Sequence, residues 1–145
     1  MSKPVTGETL LRNVAFGFYD EDAEEPNPAC LWPSTDDGGQ LSTDRHKVWD
    51  PVDSFKHRTQ VVGLPSAGVI AVESDALLEH CAAPTVADPL VAGVDGEKFT
   101  NPAHALSDFS AAKAAVKAKP KKERSEFREG MLYKLVDGLW AHGPA

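Results

Sequence analysis

Isoleucine occurs once, at Ile70, and cysteine and methionine twice each, in a chain of 145 residues. The single isoleucine, beside abundant alanine, valine, proline and glycine, reflects coding composition rather than a physical demand. No apolar run approaches the ~20 residues that a membrane-spanning helix requires. The opening Met1-Ser2-Lys3-Pro4-Val5-Thr6 has no apolar stretch ahead of a small-residue cleavage site, so a soluble intracellular chain is expected. Cys30 and Cys81 stand at no metal or redox spacing and read as free thiols, with a bridge between them left open. The five histidines, His46, His57, His80, His104 and His142, never pair at i, i+3 or i, i+4, which argues against a zinc centre. Gly-x-Ser-x-Gly, the phosphate-cradling Gly-x-x-x-x-Gly-Lys-Ser/Thr and the dinucleotide Gly-x-Gly-x-x-Gly are all missing. No cofactor, no metal and no catalytic residue is therefore expected from motifs. Positive charge is also short: a net charge of −7 disfavours a general role on nucleic-acid phosphates.

What is present suits a folded chain, with 41% hydrophobic and 26% charged residues. The length fits one domain, or a smaller domain with a long arm. Residues 19 to 58 carry an acidic stretch, Asp20-Glu21-Asp22 and Glu24-Glu25, followed by Pro33, Asp36-Asp37-Gly38-Gly39 and Asp50-Pro51. Prolines withhold donors and glycines add entropy, so this stretch reads as extended or looped, and it exceeds the ~12–15 residues of a routine connection. Residues 1–57 are accordingly expected to form an extended N-terminal arm, and residues 58–145 a compact β-rich core. Along the arm, Trp32, Trp49 and Phe55 read as aromatic anchors for a partner surface, or alternatively as a fold-back onto the chain's own core.

Val14, Phe16 and Phe18 alternate as a strand starting near Asn13 would. Thr59–Leu64 and Ala67–Glu73 read as strands about a Pro65-Ser66 turn, with a helical turn at 74–80. Asp95-Gly96 supplies the positive φ of a tight hairpin between Val91–Val94 and Glu97–Thr100. Residues 107–118 read as a helix ended by Pro120. At 127–140 an apolar stripe at Phe127, Met131, Leu135 and Leu139 argues for a helix, while Gly130, Gly138 and a second Val-Asp-Gly argue for a hairpin, which is preferred. The fold class is β-rich α+β: a small antiparallel barrel or sandwich with one or two helices. Lys113 to Arg124 forms a basic tract in which Lys117, Lys121 and Lys122 are further candidate partner contacts; no aromatic interleaves it, which favours a protein partner over nucleic acid.

A Pro/Gly-broken N-terminal region ahead of Gly63–Val72 and Pro89-Leu90-Val91-Ala92-Gly93-Val94-Asp95-Gly96, with no catalytic motif, resembles the style of tailed-phage capsid decoration, or cement, proteins. The resemblance covers residues 59–100 and has no diagnostic motif. It implies a non-catalytic oligomer, typically a trimer, held on the outside of a virion by contacts with the major capsid protein. Two other readings stand beside it: an accessory or adaptor subunit of a cytoplasmic complex, and a small ligand-binding barrel or enzyme whose site is assembled from distant residues.

Overall fold

The computed structural model describes residues 3–33, 39–80, 82–92, 97–135 and 140–144. In chain order the strands are Thr9–Val14 (β1), Tyr19–Asp20 (β2), Glu25–Pro26 (β3), Gln40–Arg45 (β4), Gly68–Glu73 (β5), Pro84–Val86 (β6), Leu90–Ala92 (β7), Lys98–Thr100 (β8), His104–Asp108 (β9) and Trp140–His142 (β10). The α-helices are Pro51–Lys56 (α1), Ser74–His80 (α2), Ser110–Lys117 (α3) and Arg124–Tyr133 (α4). Six strands make one antiparallel sheet in the order β10-β5-β1-β4-β9-β6, and β2-β3 and β7-β8 are separate hairpins. The α+β class holds, as a sheet without barrel closure among the described residues.

Successive side chains of a strand point to opposite faces. The register of β1 therefore puts Leu10 and Val14 on one face with Ile70 and Val72 of β5, and Leu11 and Asn13 on the other. On the first face Leu10, Val14, Leu41, Ile70, Val72 and Ala105 form the core with Leu31, Leu77, Phe109 and Leu132, brought by the helical side of the molecule. The second face is the floor of a polar groove beneath α1. Adjacent Leu10 and Leu11, each at most 1% exposed, mark β1 as covered on both faces.

Several expectations are corrected. The long N-terminal arm is not found: β1 and β4, both from residues 1–57, are interior strands, and Cys30, Leu31 and Leu41 lie in the core. The sheet draws strands from both sides of residue 57, so no boundary between 1–57 and 58–145 divides the described residues. Phe16 and Phe18 sit exposed on the 3-10 turn Phe16–Phe18 rather than in a strand. Asp50-Pro51 opens a helix: the Asp50 and Asp53 carboxylates cap each other's backbone N–H groups and Pro51 takes the first turn, where no donor is needed. His57–Val61 continues α1 as a π-helical turn, not as a strand. α4 replaces the preferred hairpin, and Trp140–His142 pairs with β5 instead. β7 and β8 pair as expected, Val91 opposite Phe99, while their Asp95-Gly96 turn lies outside the described residues, as does the second Val136-Asp137-Gly138.

Candidate functional site

The strands β1 and β4 face each other only at Leu10–Arg45 and Leu11–Asp44; beyond that point they part. Their divergence leaves the Ser42 carbonyl without a strand partner on that side, and the Arg12 guanidinium fills the gap, its Nη1 donating to that carbonyl at 2.8 Å and its Nε to the Cys30 carbonyl at 3.2 Å. The second sheet face, α1 with its π turn, and β7 enclose a cleft of about 560 Å³.

A hydrogen-bonded chain ties α1 to this floor. Ser54 donates its hydroxyl to Asp44 at 2.5 Å and accepts from the Asn13 amide at 3.1 Å. The other Asp44 oxygen accepts from the Asn101 amide at 2.8 Å, and Ser66 donates to Asn13 at 2.8 Å. The Asp44 carboxylate is thereby committed to neutral donors. In the π turn the Thr59 hydroxyl donates to the Phe55 carbonyl at 2.9 Å, a back-bond that loosens regular helix, and the turn sets His57 and Arg58 on the cleft wall.

Arg58 is the electrostatic anomaly. Its Nε is buried and has no hydrogen-bond partner among the described residues. Burial first, and Arg12 second, push its guanidinium pKa down; Asp44 works in the opposite direction. Among the described residues lining the cleft, the charged side chains are Arg12, Arg58 and Asp44.

On the floor, His104 Nδ1 lies 2.9 Å from the Asp88 carbonyl oxygen, which only accepts, so the network assigns the proton to Nδ1. Nε2 is then the acceptor for the Ser42 hydroxyl at 2.8 Å. The Asp88 carboxylate accepts from the Leu90 N–H at 2.9 Å, closing the loop that presents this carbonyl. Among the described residues no group of three His, Cys, Asp or Glu side chains stands together as a metal donor set.

The expected aromatic anchors are engaged within the chain. Trp32 packs against the core, edge-on to Phe109 at 5.7 Å, with Arg128 over its ring. Trp49 packs on His57 at 4.7 Å and Phe55 on His142 at 4.9 Å. Lys117, Lys121 and Lys122 are exposed, and Arg124 at the start of α4 donates to the Lys117 and Lys119 carbonyls. None of these six lines the cleft. Cys30 is a free thiol, pushed up to about 11 by burial, and Cys81 lies outside the described residues. The groups that meet in the cleft, Arg12, Ser42, Arg58 and His104, are scattered over four elements and form no local motif, and the sequence His104-Ala105-Leu106-Ser107-Asp108 has no polar–apolar alternation to mark His104.

Comparison with protein-family models, with curated proteins and with solved structures finds no match.

Proposed function

We propose that the protein binds a small anionic molecule in the cleft between the sheet and α1, with Arg58 as its anchor. The observation that carries this reading is the buried Arg58 Nε, which has no hydrogen-bond partner among the described residues. Burying a cation without an acceptor costs several kcal/mol, and such a group is tolerated where a ligand supplies the missing oxygen. Arg12 lines the same cleft, and the hydroxyls and amides around Asp44 are neutral and add no competing charge. Thermal melting with succinate, phosphate and citrate, each against sodium chloride at equal ionic strength, tests it. A saturable rise in Tm in the parent protein, absent in Arg58→Gln, is expected; this comparison also removes the general stabilisation that such salts give any protein. Equal rises in both proteins would remove the reading.

A second reading keeps the expectation of a structural protein on the surface of a larger assembly, such as a viral capsid. Exposed Phe16 and Phe18, adjacent on one turn, favour it in place of the indoles. Co-purification with particles is its test; protein recovered only in free form would count against it.

A further inference from the structure

A serine hydroxyl that donates to a histidine Nε2, while Nδ1 is fixed by a second acceptor, has the polarity of a nucleophile with its general base. Ser42 and His104 have that polarity, at 2.8 Å, in the wall of the same cleft. A Ser–His hydrogen bond is common as a mere structural contact; three features separate this one. It faces a cavity rather than the core. The ring nitrogen Nδ1 is fixed by the Asp88 carbonyl at 2.9 Å, and the backbone of His104 is tied on both sides, its N–H donating to the Asn101 carbonyl at 3.2 Å and its carbonyl accepting from the Ala87 N–H at 3.0 Å. Arg12, which also lines the cleft, donates to the backbone carbonyl of Ser42.

We propose that Ser42 and His104 are catalytic residues for acyl transfer to water, acting on a short ester whose acyl group carries a carboxylate. The inference rests on the reading of the cleft as an anion site, since Arg58 is what would hold that carboxylate. Ser42 Oγ attacks the ester carbonyl carbon as its proton passes to His104 Nε2, and the carbonyl oxygen becomes an oxyanion in the field of Arg12. The C–O bond to the leaving group breaks, and His104 returns the proton to the departing alkoxide. Water then attacks the acyl-serine, His104 takes its proton, and the carboxylic acid leaves as Ser42 regains its hydrogen. The Asp88 carbonyl positions the imidazole in the place an aspartate occupies in a three-residue relay, but adds no full negative charge to the imidazolium.

The test uses the full chain with the 4-nitrophenyl monoester of succinic acid, 4-nitrophenyl acetate as the neutral control, and intact mass after rapid acid quench. Nitrophenolate release with one succinyl group on Ser42 is expected, absent in Ser42→Ala and reduced on the order of 10²–10⁴-fold in His104→Gln. The charged ester should react faster than the neutral one, and Arg58→Gln should remove that preference. His104 is buried, so His104→Gln is used only if it melts cooperatively; Ser42→Ala, which deletes one oxygen, decides alone otherwise. Succinate-induced Tm shifts are recorded on the same samples. A succinate shift without acylation of Ser42, or acylation elsewhere, overturns the acyl-transfer proposal and leaves the binding reading standing. Absence of the succinate shift itself overturns the binding reading, and with it the substrate class proposed here.

Discussion

At Arg58 stability and binding pull in opposite directions. The Nε of its guanidinium is buried with no hydrogen-bond partner among the described residues, and the group is repelled by Arg12. Replacing it with an apolar side chain of similar length removes a partly buried charge whose Nε lacks an acceptor among the described residues, so Arg58→Met is expected to raise unfolding stability by about 1 kcal/mol while abolishing the succinate response. Urea denaturation of the two proteins measures the first and melting with succinate the second; a destabilised Arg58→Met would mean that the charge has a partner in solution. Glu8 shows the opposite case. Arg45 donates two hydrogen bonds to it, at 2.8 and 2.9 Å, and this holds the Glu8 carboxyl below its ordinary range despite the opposing effect of burial. A lowered folded pKa means that the pair stabilises fully above the unfolded carboxylate pKa of about 4.3 and loses that contribution as pH falls through the lower folded value. Glu8→Gln should therefore cost about 2 kcal/mol at neutral pH, and the gap from the parent should close below about pH 4. A gap that stays constant with pH would contradict the pairing. Neither residue was legible in the sequence, because a single arginine or glutamate carries no sign of which distant strand it will meet. Trp32, Trp49 and Phe55 were legible as groups needing a surface, and within this chain they pack on Phe109, His57 and His142.

The elements were legible where one signal dominated and misread where a residue type serves two structures. Gly68–Glu73, Ser74–His80 and the paired strands β7 and β8 follow from β-branched runs, a short helical turn and hairpin spacing. Asp50-Pro51 misled because aspartate and proline open both turns and helices; only the reciprocal capping by Asp53 distinguishes the two. At 127–140 the stripe of Phe127, Met131 and Leu135 outweighed the glycines, since burying Leu132 and Leu135 gains more than one flexible backbone position loses. Gly130 lies inside α4, exposed, with nothing within 4 Å of where a Cβ would stand. Gly130→Ala should thus raise stability by about 0.5–1 kcal/mol. A lower Tm would restore the hairpin, in which that glycine bracketed a strand.

For the whole molecule, the arm expected from proline and acidic content is the largest difference. Residues 1–57 supply β1 and β4, between which the Arg12 gap opens, as well as α1, which roofs the cleft. A 58–145 fragment would retain β5, β6, β9 and β10 but lose the two strands that join β5 to β9. It is expected to show no cooperative thermal transition, by circular dichroism, where the full chain shows one; a folded fragment would re-establish the boundary at residue 57. Local patterns had indicated an α+β chain correctly, but sheet order depends on pairings far apart in sequence, which such patterns do not encode. The same holds for the cleft, whose Ser42 and His104 are 62 positions apart. The central claim, that this cleft holds an anion on Arg58, is tested most directly by following the arginine Nε–Hε signals by NMR during a succinate titration at constant ionic strength. The Arg58 signal is identified by its loss in Arg58→Gln. It should move to saturation with succinate and stay in place with chloride, whereas an Arg58 signal unmoved by succinate while the protein remains folded would contradict the account.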